Sequence, residues 1–310
     1  MKLAMVFPGQ GSQSVGMLGA YGDLPEVRET LAEASDVLKQ DMARLIAEGP
    51  ADELGRTINT QPVMVTAGYA AYRVWRALGG PEPQVVAGHS LGEYTALVVA
   101  GALSFADCLP LVRLRARAMQ EAVPEGTGAM AAVLGLDDDG VRAACAEAAQ
   151  GEVVEAVNFN APGQVVIAGH AAAVQRGVET SKARGAKRAV ILPVSAPFHS
   201  SLMAPAARRL AEALSSTAVT APKIRVIHNV DAAAHPQPGD IRDALYRQAD
   251  HAVRWADSIK VMAAEGVTHV FECGPGKVLG PLSRRIVAEL QGGALADRAS
   301  MDQALATLKE

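Results

Sequence analysis

A serine set between two glycines, Gly88-His89-Ser90-Leu91-Gly92, has the G-x-S-x-G spacing of a nucleophile carried on a tight strand-to-helix turn. Val85 to Ala87 before it is a short apolar run, and Glu93 to Ala100 after it has helical character, so the pentapeptide stands where such a turn belongs. Side chains at the flanking positions would collide in so sharp a turn, which accounts for the glycines. Ser90 Oγ is then expected at the sheet edge, with the Leu91 amide at a helix N-terminus facing developing negative charge. Five letters are also compatible with a glycine-flanked serine turn that does no chemistry, so the partners decide.

A serine hydroxyl attacks an ester or thioester only with help from a base, and a neutral imidazole is the usual one. Of seven histidines, His89 adjoins the nucleophile on the other side of the turn, and His170, His228, His235, His251 and His269 read as surface loops or strand ends. His199 differs: it follows Ala196-Pro197-Phe198 and precedes a helical pattern of Leu202, Ala206, Leu210 and Leu214, a position that lines a cleft. No aspartate or glutamate stands out as the group that orients it. The order also departs from an α/β-hydrolase triad, whose acid lies between serine and a late histidine.

Between Ser104 and Ala122 three arginines recur at every second residue of a helix-like stretch. At about 100° per residue, Arg113 and Arg117 share a side with Gln120 and Glu121, whereas Arg115 falls among Leu111, Val112, Ala118 and Met119. Arg115 is therefore predicted to be buried, and a buried guanidinium must be met by acceptors. Two kinds fit: an internal carboxylate, or a substrate carboxylate gripped by two parallel hydrogen bonds.

The elements that must position these groups follow from the wider pattern. The chain has 310 residues, 49% of them hydrophobic and only 4% aromatic, which suits small aliphatics packed between helices and sheet. Leu3 to Phe7, Val85 to Ala87 and His269 to Glu272 read as buried parallel strands, with an Ala-rich helix from Gln61 to Leu78. The middle reads as Ala129–Leu136 (strand), Asp137–Gln150 (helix), Val153–Asn158 and Gln164–Gly169 (strands), Ala171–Arg184 (helix) and Lys187–Val194 (strand). That order is βαββαβ, the ferredoxin-like arrangement. The fold expected is α/β: a large α/β-hydrolase-like domain on a parallel sheet, residues 1–123 with 196–310, and an inserted ferredoxin-like subdomain, 124–195. A cleft between two such bodies is where a ligand belongs.

Lys and Arg number 29 against 33 Asp and Glu, which gives no footprint for nucleic acid or an anionic membrane. Three scattered cysteines suggest neither a disulfide framework nor a zinc site, and a start without a signal peptide points to the cytoplasm.

FPGQGSQ at 7–13, Thr60-Gln61-Pro62, GHSLGEY at 88–94, MQEAVPEGTGAM at 119–130, NFNAPGQVVIAG at 158–169, PFH at 197–199 and ECGPGKVL at 272–279 together resemble the malonyl-CoA:acyl carrier protein transacylase family, over nearly the whole chain. The resemblance implies Ser90 as nucleophile, His199 as base, Arg115 on the malonyl carboxylate and the Gln10 and Leu91 amides as oxyanion hole. It also implies a main-chain carbonyl, that of Gln248, as the group orienting His199, and places Gln61, Asn160 and Phe198 near the substrate, Phe198 favouring malonyl over methylmalonyl. One departure is local: His251-Ala252 stands where relatives often have Asn-Pro, a change able to shift the Gln248 carbonyl. The implied substrates are malonyl-CoA and the phosphopantetheine thiol of an acyl carrier protein, with no bound cofactor or metal, the enzyme a monomer serving fatty acid or polyketide synthesis. An acidic carrier calls for a basic patch, either Lys182, Arg184, Lys187 and Arg188, or Arg284 and Arg285. The rival readings are a malonyl thioesterase using the same pair and a non-catalytic carrier-docking module.

Overall fold

The computed structural model describes residues 1–308. In chain order the elements are β1 (Leu3–Phe7), α1 (Pro25–Leu38), α2 (Met42–Glu48), α3 (Ala51–Gly55), α4 (Thr57–Ala77), β2 (Val85–Gly88), α5 (Gly92–Val99) and α6 (Phe105–Glu121). Then come β3 (Gly128–Leu134), α7 (Asp138–Ala149), β4 (Val154–Ala161), β5 (Gln164–His170), α8 (Ala171–Ala183) and β6 (Arg188–Ile191). The chain closes with α9 (Ala204–Ser216), β7 (Arg225–Ile227), α10 (Pro238–Asp250), α11 (Trp255–Ala264), β8 (His269–Cys273), α12 (Leu279–Ile286), β9 (Ala294–Leu295) and α13 (Arg298–Thr307).

Two sheets result. The first is parallel, in the order β7-β2-β1-β8-β9, and its central strands β1 and β2 are buried at every residue, as their unbroken apolar runs require. Helix α4 buries sixteen of its residues against this sheet and its neighbours, so it is apolar almost all round. Strands β7 and β9, three and two residues long, were not legible in the sequence because so short a run has no period to read.

The second sheet is antiparallel, in the order β4-β5-β3-β6, which is the ferredoxin-like order expected from the middle of the chain. One face packs Val133, Val165 and Ile167 against Val141 of α7 and Val174 and Val178 of α8. The other presents Met130, Val157, Val166 and Ala168 to Leu192, Val194 and Phe198. The expected last strand, Lys187–Val194, is regular only over Arg188–Ile191; the Leu192 amide still donates to Met130 O of β3 at 2.9 Å, and the Leu192 and Val194 side chains close over this second face. A bridge ties the two bodies: the Phe159 amide donates to Val253 O at 3.0 Å and the Val253 amide to Val157 O at 2.8 Å.

The turn between β2 and α5 is built by close approach. A Cβ on Gly88 would lie 1.9 Å from the Gly92 carbonyl carbon, and one on Gly92 would lie 2.1 Å from Phe7 O. The ends of β1, β2 and α5 can meet only if both positions are bare, and the residue between them is forced to φ 51°, which is Ser90. Gly88→Ala is expected to destabilise the protein by about 2–3 kcal/mol in urea unfolding and to slow labelling of Ser90 by a serine-directed acylating reagent by about a hundredfold. Wild-type stability and labelling in that variant would show that the close approach is not needed.

Candidate active site

Ser90 and His199 come from segments over a hundred residues apart and meet at the mouth between the two sheets. Ser90 Oγ lies 2.6 Å from His199 Nε2, and His199 Nδ1 lies 2.8 Å from Gln248 O. A carbonyl oxygen only accepts, so Nδ1 carries the hydrogen and Nε2 is free to accept from the serine. His199 is itself held at φ 65° and is 3% exposed. Burial, and secondarily the positive charge of Arg115, push its pKa from 6.5 down to about 3, so the ring is neutral in the empty site.

Arg115 projects from the buried face of α6, as its helical phase predicts, and is 2% exposed. Its acceptors are amides and the nucleophile, not a carboxylate: Nη1 donates to Gln61 Oε1 at 2.9 Å, and Nη2 to Gln248 Oε1 at 3.0 Å and to Ser90 Oγ at 3.2 Å. Its Nε, also buried, has no partner, and the guanidinium sits 5.4 Å from the centre of the Tyr94 ring. A cation so enclosed is less stable charged than in water, and burial lowers its pKa accordingly.

The expected oxyanion donors, the Gln10 and Leu91 amides, are unengaged beside the nucleophile. Among the described residues neither the Gln10 nor the Leu91 amide donates to another protein group, and both residues line the cavity at Ser90. The amide of Ser90 is excluded from that role, because it donates to Asn229 Oδ1 at 2.7 Å. Asn229 Nδ2 in turn donates to Gly88 O at 2.8 Å, so this side chain clamps the strained turn from behind.

The cavity holds about 160 Å³, roughly five waters' worth. It is lined by the polar Gln61, Ser90, Arg115 and His199, by Met119, Met130, Leu192, Val194 and Phe198, and by Asn158 of β4, whose buried Oδ1 has no partner among the described residues. A second cavity of about 260 Å³ adjoins it, sharing Gln10 and His89 and bounded by Asn160, Gln164 and Leu282. Asn160 belongs to this second space: its Oδ1 accepts from His89 Nε2 at 2.7 Å, away from the nucleophile. A larger groove, lined by Arg142, Phe159 and Asp257, contains neither nucleophile nor base.

One expectation needs amendment. His228, read as a surface residue, is wholly buried and donates from Nδ1 to Glu93 Oε1 at 2.7 Å. The His251-Ala252 departure leaves the Gln248 carbonyl at hydrogen-bond distance from His199, because Val253 is pinned to β4 just beyond it. Within the first basic patch, Lys182 and Arg184 are paired with Glu179 and Glu147, while Lys187 and Arg188, like Arg284 in the last turn of α12, have no carboxylate partner among the described residues; Arg285 reaches Gln164 Oε1 at 2.7 Å. Sequence reasoning missed Asn229 and Glu93. Glu93 stands within the GHSLGEY block, where its sequence context signals only the start of a helix.

Among the described residues no cluster of histidine, cysteine, aspartate and glutamate could hold a metal, and no helix is long and apolar enough to cross a membrane. A model of the acyl transferase domain matches residues 4–281. The malonyl CoA-acyl carrier protein transacylase of Escherichia coli K12 is 54% identical over 305 residues, 98% of this chain and 99% of that one, and that of Bacillus subtilis 43% identical over 311, covering 100% and 98%. Among solved structures, an acyl-carrier-protein S-malonyltransferase from Burkholderia pseudomallei superposes with a TM-score of 0.97 at 62% identity, covering 99% of this chain and 100% of that one. A malonyl-transacylase in complex with a type II polyketide synthase acyl-carrier protein superposes equally well, 0.97 at 48% identity, over 99% and 100%. With the nucleophile turn, the imidazole and the enclosed guanidinium found in one cavity, the chain belongs to the acyl transferase family, among the malonyl CoA-acyl carrier protein transacylases.

Proposed function

We propose that this protein transfers malonyl from malonyl-CoA to the phosphopantetheine thiol of an acyl carrier protein through an ester on Ser90. The observation that carries the reading is the single oxygen shared by two groups: Ser90 Oγ is 2.6 Å from the base and 3.2 Å from a buried guanidinium. An acyl group on that oxygen with a carboxylate one carbon beyond its carbonyl reaches back to the cation. An acetyl group leaves the enclosed N–H groups unmet, a cost of about 1–3 kcal/mol or more for a charged donor.

His199 Nε2 takes the Ser90 proton as Oγ bonds to the thioester carbon, and the Gln10 and Leu91 amides hold the oxyanion. The intermediate collapses with loss of the C–S bond, and the proton returns from His199 to the sulfur of coenzyme A. In the second half the carrier's thiol gives its proton to His199, its sulfur bonds to the malonyl carbon, and the Ser90 ester oxygen leaves and is reprotonated. The Nη2–H that Ser90 Oγ accepts in the free enzyme is released on acylation, since an ester oxygen is a poor acceptor, and turns to the carboxylate. Gln61 and Gln248 hold the other donors of Arg115, and Phe198 crowds the acyl group's α-carbon.

The divided body, 1–123 with 196–310 against 124–195, places the acyl cavity between a sheet that supplies reacting groups and one that supplies an apolar wall. The basic end of α12, Arg284 and Arg285, flanks the second cavity, where a phosphopantetheine arm and its acidic carrier would approach. Three free, buried cysteines suit a reducing cytoplasm. Whether the product enters fatty acid or polyketide synthesis depends on the carrier.

Ser90→Ala is expected to abolish radiolabel transfer from malonyl-CoA to the protein; label on another residue overturns the assignment. Arg115→Ala is expected to lower the malonyl-to-acetyl ratio of kcat/KM by about a hundredfold or more, measured on Ser90 acylation. Because the pKa of His199 is depressed in the free enzyme, its basic form persists as pH falls through 6.5, so kcat/KM holds its plateau down to about pH 5. Bound carboxylate neutralises Arg115, the second-largest cause of the depression after burial, so single-turnover acylation at saturating substrate bends at a higher pH than kcat/KM. A kcat/KM limb centred at 6.5 would contradict this. The same shift removes stability on the acid side, since below pH 6.5 the unfolded chain takes up a proton that the folded chain refuses until about pH 3.

A further inference from the structure

Behind the reacting groups lies a buried carboxylate that the reaction as written does not use. Glu93 is wholly buried in the first turn of α5, three residues after the nucleophile. Its Oε1 accepts from His228 Nδ1 at 2.7 Å, and its Oε2 accepts from the Asn229 amide at 2.9 Å and from Gln248 Nε2 at 3.0 Å. We propose that Glu93 is a positioning residue that sets the Arg115 fork through the side-chain amide of Gln248, and thereby governs the choice of an acyl group bearing a carboxylate over an uncharged one.

The polarity of that amide decides whether Arg115 is held. Gln248 Oε1 accepts from Arg115 Nη2 at 3.0 Å, while its Nε2 donates to Ser90 O at 2.8 Å and to Glu93. An amide rotated by 180° keeps its shape but exchanges donor and acceptor ends. In the rotated state Nε2 would face the guanidinium, donor against donor, and Nη2 would lose its amide acceptor inside a site where Arg115 is 2% exposed. Only a strong acceptor at the far end prevents this. Ser90 O is the weaker of the two present, since it already accepts the Glu93 amide at 3.1 Å. Glu93 is the stronger, and it is fixed in turn by His228 and Asn229 on the segment that follows β7. Besides Gln248, Arg115 is held only by Gln61 Oε1 and Ser90 Oγ, and its Nε is unpartnered. The chain of dependence runs from the carboxylate to the amide to the cation. A carboxylate that merely fastened α5 to the segment at 228–229 would affect every acyl donor alike.

The inference rests on the reading of Arg115 as the carboxylate fork, and the test separates the two. Acylation of Ser90 is measured as kcat/KM with malonyl-CoA and with acetyl-CoA in the full chain, for the wild type and for Glu93→Gln, Glu93→Asp, Gln248→Met, Glu93→Gln with Gln248→Met, and Arg115→Ala. Glu93→Gln keeps the size of the side chain, and its new amide can donate to His228 Nδ1 if that ring moves its hydrogen to Nε2, which is buried and unpartnered. It is expected to lower the malonyl-to-acetyl ratio about tenfold; any loss passed through Asn229 to the nucleophile turn falls on both substrates alike and cancels in that ratio. Glu93→Asp keeps the charge but withdraws it from Gln248, and must lower the ratio too; it carries the test alone if the glutamine variant does not fold. The double variant must show no further loss beyond Gln248→Met. Equal losses with both substrates, an unchanged ratio, or additive effects in the double variant each overturn the proposal. If Arg115→Ala also leaves the ratio unchanged, the fork itself is misassigned; if Arg115→Ala collapses it and the Glu93 variants do not, only the role of Glu93 fails.

Discussion

A guanidinium taken out of water beside a nucleophile is the constraint from which most of this site follows. Arg115 cannot be satisfied by solvent, so each of its donors dictates a neighbour: Gln61 from α4, Gln248 from α10 and Ser90 from the turn before α5. Those three elements are far apart in the chain, and the charge draws them to one point. None of the partners is a carboxylate. A direct ion pair would be the simpler way to bury an arginine, but it would already occupy the donors that an acidic acyl group must use, whereas neutral amides keep the cation in place and leave its charge uncompensated. The unpartnered Nε fits the same logic, as a donor left unmet inside the protein in a site built to receive an anion.

The second constraint is conformational, and it acts on the two reacting side chains themselves. Ser90 at φ 51° and His199 at φ 65° both stand in a region that ordinary residues avoid. Neither conformation could persist alone. The first is trapped by Gly88 and Gly92 closing on each other and on Phe7, and by Asn229 bridging Ser90 N and Gly88 O. The second is trapped because the ring must reach the Gln248 carbonyl and the serine together. Strain at two residues is thus balanced by contacts from β1, β7, α5 and α10, which explains why the nucleophile is positioned by the large parallel sheet and not by a loop.

How much of this could be read from letters depended on whether a feature had a local signature. Ser90 had one in its flanking glycines, and Arg115 had one in its helical phase, since a charge on the apolar arc of an amphipathic helix is visible without coordinates. The antiparallel sheet was legible because its strands and helices alternate with clean spacing. His199 could be singled out by its place at the return from the inserted segment, though not paired with anything. The orienting group of His199 is a main-chain carbonyl, which every residue possesses, so only family resemblance could point to Gln248. Asn229, Glu93 and His228 were out of reach for a related reason: they act across separations of more than a hundred residues, on partners that no spacing rule connects. His228 reads as a loop residue, yet its surroundings come from α5, which packs over it only in three dimensions.

The inserted sheet brings no residue that touches Ser90 Oγ or His199 by hydrogen bond, and its contribution is best understood as dielectric. From its open face Met130 joins Leu192, Val194 and Phe198 in a largely apolar wall of the cavity that holds Arg115, with Asn158 of β4 as its one polar member. A charge pair a few ångströms apart is worth about 1 kcal/mol in water and several times more at the effective dielectric of a protein site. Placing an oily wall across a small cavity therefore raises the worth of a carboxylate on Arg115 and, by the same exclusion of water, protects an acyl ester waiting for a thiol. The wall can do this only if it stays registered on the large sheet, which is what the backbone exchange between Val253 and strand β4 provides. That bridge lies five residues after Gln248, so the segment that fixes the apolar wall also carries the carbonyl that orients the base. Discrimination by charge and activation of the nucleophile are consequently coupled through one short stretch of chain, and a displacement there would be felt by both.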